Sequence, residues 1–229
     1  MVIRCTWRKF VNYLRISNYK GEISIAKLQW KPSTMLNPVP VVMVTCADAQ
    51  GKPNIITLAW AGTINSEPPM VSISVRKERY SYNLIKERGQ FVINLTTQKL
   101  AYATDFCGVK SGRDTNKFES AKLTPEKASK VDVALIKESP VNIECVVKDV
   151  IQLGSHDMFI GEIVAVNVDE KLIDEKGKLH LVDKAGLICY SHGEYYSLEK
   201  SLGYFGYSVT KKKNLKRNLS NKRNSRLKN

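Results

Sequence analysis

Short β-type segments separated by turn residues constrain the fold of this chain more than any other feature. Apolar and β-branched residues concentrate at 39–47, 54–61, 70–75, 90–95, 141–153, 159–168 and 187–190. Two stretches between them favour helices, 80–88, which Gly89 follows, and 97–107. In the second, Thr97 is a candidate N-cap and Gly108 a candidate stop. Many short strands with few helices predict a mainly β fold, a Greek-key barrel rather than a parallel α/β sheet.

The basic charge of the chain lies outside this β region. The formal net charge is +14, yet residues 31–209 hold 21 basic and 21 acidic side chains. Residues 210–229 hold nine Lys and Arg and no acid, and residues 1–30 hold six with one acid. We therefore predict three parts: an N-terminal extension at 1–28, a folded domain at 29–208 and a basic disordered tail at 209–229. The tail would contact nucleic acid or anionic lipid only non-specifically, or would be solvated without a specific partner.

The extension holds one helical pattern. Trp7, Phe10, Val11 and Leu14 recur at helical spacing with arginines between them, which indicates a short amphipathic helix that packs on the domain or stands apart from it. The sequence contains no apolar run near the ~20 residues of a membrane span. We therefore expect a cytoplasmic protein that does not enter a membrane.

Several common site motifs are absent from the sequence. It contains no G-x-G-x-x-G fingerprint, no phosphate-binding P-loop and no G-x-S-x-G elbow. With three histidines, no H-x-x-x-H and no C-x-x-C, we predict no metal site. The five cysteines are expected to be free thiols, mostly buried, and Cys107 beside Gly108 is the candidate for reactivity.

Small and hydroxylated side chains follow one another where a strand that only filled a core would carry bulkier ones. Thr57, Ala59 and Thr63 are the main examples, within the sequence NIITLAWAGTINSEPPMVSISV that begins at residue 54. They would let a flat ligand approach the backbone, or they would serve the bend of a barrel. Trp60 among them would contact a ligand or fill the core.

Anion-binding side chains cluster where the predicted helix 80–88 begins. Arg76, Arg79 and Ser81 lie within six residues of one another. Arginine forks, hydroxyls and free amides at a helix start suit a phosphate group. The alternative is a charged helix cap that faces solvent.

Four segments together resemble one known family. They are NIITLAW (54–60), VRKERYSY (75–82), SGRDTNKF (111–118), which lies in the polar loop predicted at 110–118, and GSHDMFIGE (154–162). In order and spacing they resemble the flavin reductase-like family of FMN-binding split barrels, most closely its flavoredoxin branch, from about residue 29 to about 203. The resemblance implies a homodimeric split β-barrel with one FMN per subunit near the interface.

The resemblance also implies site residues. Flavin-contacting positions of the family match Asn54, Trp60, Ser81, Lys117 and His156, and a position near the last strand matches Cys189 or Tyr190. Lys117 would stabilise negative charge on reduced flavin, or would only pair with Asp114. His156 would donate a hydrogen bond to the ring or to the electron donor, or would be a surface residue of its turn. The family's G-D-H motif has Ser155 in second place here, which changes little.

The activity that this resemblance implies is that of an FMN-dependent oxidoreductase. It would reduce flavin with NADH or NADPH, which would stack transiently on the exposed flavin face, or relay electrons between donors through bound FMN. One alternative is an FMN-binding electron carrier that does not oxidise nicotinamides and serves redox protein partners. Another is a binding module whose basic tail contacts nucleic acid.

Overall fold

A computed structural model describes residues 27–209. These residues fall into two units that divide between Met35 and Leu36. The stretch 27–35 contains no helix or strand. The helix predicted around residues 7–14 and the basic tail at 210–229 lie outside the described residues, and the predicted domain boundaries stay predictions. Within the described part of the chain, no helix is long and apolar enough to cross a bilayer.

The second unit is built mainly from β-strands. In chain order these are β1 (Val39–Pro40), β2 (Val42–Ala47), β3 (Pro53–Leu58), β4 (Ala61–Ser66), β5 (Pro69–Arg76), β6 (Gln90–Leu95), β7 (Pro125–Glu126), β8 (Leu135–Ile136), β9 (Val141–Gln152), β10 (His156–Val168), β11 (Ile188–Ser191) and β12 (Glu194–Ser197). The helices are short: α1 (Tyr80–Arg88), α2 (Ala101–Val109), α3 (Lys117–Ser120) and α4 (Leu181–Ala185). Single 3-10 turns occur at Gln98–Leu100, Glu170–Leu172 and Tyr207–Val209.

Seven antiparallel strands form the main sheet, in the order β3-β2-β6-β9-β10-β5-β4. Its two edge strands, β3 and β4, are joined by Ala59 and Trp60 alone. The two edges must therefore approach each other, and the β4–β5 pairing continues into this link, where Ser74 N on β5 donates to Trp60 O at 2.9 Å. The sheet thus rolls into a barrel with non-consecutive neighbours, β2 beside β6 and β5 beside β10. The predicted mainly β Greek-key barrel with a few short helices is confirmed.

Two predicted strands are each broken into two. The predicted segment 39–47 divides at Val41, whose carbonyl accepts a hydrogen bond from Thr96 Oγ1 at 2.6 Å. Its first part, β1, pairs instead with β11 in a three-stranded sheet, β1-β11-β12. The predicted segment 54–61 divides at Ala59 and Trp60, because the chain there crosses from one barrel edge to the other. The hairpin in this region is therefore formed by β4 and β5, with Glu67 and Pro68 in its turn.

The second predicted helix differs in its start and its end. Thr97 precedes a 3-10 turn, and its side chain makes no capping hydrogen bond. Gly108 lies inside α2, where an added Cβ would be 3.3 Å from Thr57 Cβ. This glycine therefore allows helix and strand to approach closely, rather than ending the helix. The polar loop predicted at 110–118 ends earlier, because Lys117 begins α3.

Strand β2 is buried on both faces, which explains its almost continuous apolar run. Val42 and Val44 belong to the cluster that fills the barrel, while Met43 between them packs in a cluster with α2. Helix α1 covers the barrel, since its Leu84 and Ile85 belong to the first cluster. Polar side chains of β3 and of the start of β10 contact the first turn of α1: Asn54 bonds Ser81, and Asp157 bonds Tyr82.

One buried carboxylate holds a loop against the sheet. Glu144 on β9 is fully buried, and its two oxygens accept from Ser129 N, Ser129 Oγ, Lys130 N, Val131 N and Asn167 Nδ2 at 2.6–3.1 Å. Burial raises the pKa of Glu144, but these hydrogen bonds together outweigh it and hold the pKa below its ordinary value.

We predict that Glu144→Gln lowers the free energy of unfolding by about 3 kcal/mol. The NH2 group of the glutamine would face backbone N–H groups that are themselves donors, so buried hydrogen bonds would be lost. Urea denaturation measures the change. Since the folded pKa of Glu144 is lowered, its stabilisation is present above the unfolded pKa of about 4.3 and is lost as pH falls below it.

Glu162→Gln on the neighbouring strand is the matched control. Glu162 forms a partly exposed ion pair with Lys148 at 2.6 Å, and its loss should cost less than about 1 kcal/mol. Equal effects of the two substitutions would contradict the role of Glu144.

Candidate functional site

The start of helix α1 presents anion-binding groups. Arg79 is its N-cap residue, no side chain caps it, and its first turn contains no acidic residue. Arg76 and Arg79 are exposed, and neither forms an ion pair within residues 27–209. Because the N-terminus of a helix carries partial positive charge, this end of α1 is electropositive and has free donors.

A buried hydrogen bond fixes this helix start to the barrel. Asn54 Nδ2 on β3 donates to Ser81 Oγ in the first turn of α1 at 2.8 Å. The same amide lies 3.8 Å from Cys46 Sγ on β2. Burial raises the pKa of the Cys46 thiol to about 11, so it stays neutral. Three elements are thereby held in one arrangement around Asn54.

The loop 111–116 closes over this hydrogen bond. A Cβ on Gly112 would lie 2.0 Å from Asn54 Oδ1 and 3.1 Å from Tyr80 Cδ1, so a larger residue would displace both. The next residue, Arg113, places its guanidinium carbon 5.5 Å from the centroid of the Tyr80 ring, a cation–π contact. The loop therefore brings a third arginine to the start of α1.

Lys117 lies beneath this region and not on its surface. It is buried, and its Nζ donates to Ile55 O on β3 and to Cys107 O in α2, both at 2.7 Å. Its ammonium bonds to these carbonyls and not to Asp114. Burial lowers the pKa of Lys117. Cys107, the candidate for reactivity, is instead one of the buried thiols, because it lies within α2 and burial raises its pKa to about 11.

His156 and Trp60 form a pair at the mouth of the barrel. His156 is the first residue of β10 rather than a turn residue, and it lies opposite Arg76. Its ring centroid is 4.6 Å from that of Trp60, which is 45% exposed and so does not fill the core. Its Nδ1 lies 2.9 Å from Ser155 Oγ. Burial and then Arg76 lower the pKa of His156, which is neutral at pH 7.

A buried carboxylate joins the start of β10 to α1. Asp157 Oδ2 accepts from Tyr82 OH at 2.7 Å, and Lys77 Nζ lies 3.3 Å from Oδ1. The hydrogen bond from Tyr82 lowers the pKa of Asp157, and Lys77 lowers it further. Because Asp157 follows His156 directly, this contact fixes the backbone of the histidine relative to α1.

The structure separates the remaining predicted site residues. Thr57 Oγ1 donates to Thr104 O at 2.5 Å and so holds α2 against β3. Ala59 is half-buried beside Trp60, and Thr63 is exposed on β4. Tyr190 lies on β11 in the smaller sheet, where its ring packs against Tyr195 with centroids 5.6 Å apart.

The predicted residues that the structure brings to the start of α1 and the adjoining barrel end are Asn54, Trp60, Arg76, Arg79, Ser81, Lys117 and His156. Sequence reasoning did not identify Cys46, Gly112, Arg113 or Asp157 as parts of this region. Gly112 and Arg113 lie within SGRDTNKF, and a glycine followed by an arginine in this polar loop is the sequence feature that could have identified them. Asp157 lies within GSHDMFIGE, but an aspartate in a predicted turn looks like a surface residue, and Cys46 lies outside the four segments and looks like a core residue of its strand.

The donor set suits one kind of ligand. Two exposed arginines, a hydroxyl and free amides can bind a phosphate dianion. A half-exposed tryptophan and a neutral histidine lie beside them and can contact the face and polar edge of a flat ring, while the buried amide of Asn54 orients the hydroxyl of Ser81. These residues therefore fit a ring compound that carries a phosphate. Within the described residues, no group of three His, Cys, Asp or Glu side chains could hold a metal ion.

Comparison with known proteins identifies relatives of this arrangement. The model of the flavin reductase like domain matches residues 34–199. Flavoredoxin of Desulfovibrio vulgaris (Miyazaki F) superimposes with a TM-score of 0.75 at 32% identity, over 81% of this chain and all of that one.

Two relatives in sequence match smaller parts of this chain than the flavoredoxin does. A protein of Archaeoglobus fulgidus is 35% identical over 125 residues, which span 55% of this chain and 71% of the relative. A NADPH-flavin oxidoreductase of Streptomyces viridifaciens is 24% identical over 161 residues, 69% of this chain and 81% of that protein.

We predict that Arg76→Gln raises the pKa of His156, because Arg76, opposite His156 on β5, is the cation that lowers this pKa most. The pKa should stay below the ordinary value of about 6.5, since burial remains. NMR titration of the imidazole resonances measures it, with His156→Gln to assign the signal.

Arg88→Gln is the control for this titration, because Arg88 lies at the other end of α1, where it donates to Asp48 O at 2.8 Å. It should leave the pKa of His156 unchanged. An unchanged pKa in Arg76→Gln would show that the two side chains are not coupled.

Proposed function

Because the chain belongs to the flavin reductase-like family, we propose that it is an FMN-binding oxidoreductase. It would reduce flavin with NADH or NADPH, or relay electrons through bound FMN. The observation that supports the proposal best is the meeting of anion-binding and ring-binding groups at the start of α1, where Arg79 and Ser81 lie beside Asn54.

The phosphate of FMN would bind at the helix start. Arg76 and Arg79 supply exposed cations without an acidic partner among the described residues, and the first turn of α1 supplies amides. Ser81 supplies a hydroxyl that Asn54 already orients. A preorganised site of this kind binds a dianion without first breaking an internal ion pair.

The flavin ring would lie over the barrel end near Trp60. The small side chain of Ala59 leaves the backbone accessible there, and Thr63 adds a hydroxyl on β4. His156, neutral and packed on Trp60, can exchange a hydrogen bond with the polar edge of the ring. Tyr190 would contribute only if the smaller sheet borders the ring.

Bound FMN supplies the two-electron chemistry. The chain supplies position and charge: His156 holds or donates a proton through its ring nitrogen, and Lys117 lies below the site as a buried cation. A positive charge close to the ring would stabilise negative charge that develops on it. Lys117 acts at a distance in this proposal, because two of its protons are held by Ile55 O and Cys107 O.

The relatives support both forms of the activity. The name of the Streptomyces relative states NADPH and flavin, which favours nicotinamide oxidation. The similarity to a flavoredoxin supports the second candidate, a carrier that holds FMN without oxidising nicotinamides. Strand β4 is an exposed edge of the main sheet from Gly62 to Ser66, which supports the prediction of a homodimer.

Titration of the purified protein with FMN, followed by flavin fluorescence, tests the proposal. We expect saturable binding with one FMN per chain. Arg79→Gln should weaken it by about tenfold or more, because a charge-assisted hydrogen bond to phosphate is lost. Anaerobic mixing of the complex with NADH and with NADPH then separates the two candidates. Rapid loss of flavin absorbance identifies a reductase, and negligible loss identifies a carrier.

Lys86→Gln on the last turn of α1 is the matched control, because it removes the same charge from the other end of the helix. Its ammonium lies 5.8 Å from the Tyr82 ring, and FMN binding should not change. A wild-type protein that binds no FMN would overturn the proposal.

A further inference from the structure

We propose that Arg113 is a further phosphate-binding residue of the flavin site, supplied by the loop 111–116. This inference rests on the proposed function and adds a residue to it. The ligand group is a phosphomonoester dianion, to which Arg113 would add a third guanidinium at the start of α1, with Arg76 and Arg79. The loop would thereby select flavins that carry a phosphate over those that lack one.

The position of the loop is fixed by contact. Gly112 lies so close to Asn54 that a Cβ would be 2.0 Å from its Oδ1. Four residues beyond Arg113, the buried ammonium of Lys117 ties the end of the loop to Ile55 O on β3. The backbone of the loop is thus anchored on both sides of Arg113, next to Asn54 at Gly112 and next to Ile55 at Lys117.

The guanidinium of Arg113 has donors available. Its carbon lies 5.5 Å from the centroid of the ring of Tyr80, the first residue of α1. Among residues 27–209 this guanidinium donates no hydrogen bond, since only the backbone N of Arg113 donates, to Ser111 Oγ. Within residues 27–209, no carboxylate lies within ion-pair distance of Arg113.

The charge around the helix start favours a doubly charged ligand. Among the described residues, Arg76, Arg79 and Arg113 have no carboxylate partner within ion-pair distance, and the first turn of α1 lacks an acidic side chain. Like charges gathered at one point repel one another, so an unliganded cluster is unfavourable. A phosphate dianion offsets that repulsion and accepts bidentate hydrogen bonds from an arginine fork.

The test compares FMN with riboflavin, which has the same ring and no phosphate. Dissociation constants are measured by flavin fluorescence for wild type, Arg113→Ala, Arg113→Lys and Lys110→Ala. Lys110 is exposed at the end of α2 and is the charge-matched control. We expect Arg113→Ala to weaken FMN binding by about tenfold or more, with riboflavin binding unchanged. Arg113→Lys should fall between, since it keeps the charge and loses the fork.

Three outcomes overturn the inference. FMN binding that Arg113→Ala leaves unchanged removes the residue from the site. Equal weakening of FMN and riboflavin shows a contact with the ring or a loop effect. Equal weakening by Lys110→Ala shows only bulk charge. Failure of the wild type to bind FMN is a separate result, because it refutes the proposed function itself. Thermal unfolding by circular dichroism confirms that each variant is folded.

Discussion

The candidate site depends on one buried ammonium group. Lys117 donates 2.7 Å hydrogen bonds to Ile55 O on β3 and to Cys107 O in α2, and it begins α3 itself. A barrel strand, an outer helix and the end of the loop 111–116 therefore meet at a single nitrogen. An ammonium is costly to bury, as its lowered pKa indicates, and the two carbonyls offset part of that cost.

Further polar contacts build on this frame. Asn54 is one residue before Ile55, so the strand that Lys117 holds also orients the amide that bonds Ser81. Gly112 allows the loop to close on that amide, and Asp157 joins the start of β10 to α1 through Tyr82. Each contact is short and buried, which fixes the helix start and the His156–Trp60 pair relative to each other. Such preorganisation is what binding a charged ring compound requires.

The fold was largely predictable from the sequence, because alternating and continuous apolar runs specify strands whatever their partners. The strand breaks were not, since they arise from barrel closure. Val41 and the Ala59–Trp60 crossover look like strand residues and leave the strand only because distant segments compete for their backbone groups. Gly108 looks like a helix stop in the sequence, although within α2 its lack of a side chain allows Thr57 to pack closely. Local patterns do not report such long-range contacts.

The site was predictable where chemistry is carried by residue type and spacing, as for Arg79 and Ser81. It was not predictable where a residue acts through burial. A lysine in a polar loop and an aspartate in a turn give no sign that Lys117 and Asp157 are enclosed, and a buried strand cysteine gives no sign that Cys46 lies beside the amide of Asn54. Only the packing of β3, α1 and α2 around them reveals it, which is why the supporting contacts emerge from the structure alone.

A crystal structure of the protein grown with FMN tests the central claim most directly. The claim is that the start of α1 is a phosphate site and that the barrel end beside Trp60 holds the ring. We predict the phosphate within hydrogen-bond distance of the first amides of α1 and of Arg79, with the ring bordered by Trp60 and His156. Flavin bound on another face of the barrel, or with its phosphate away from α1, would contradict it.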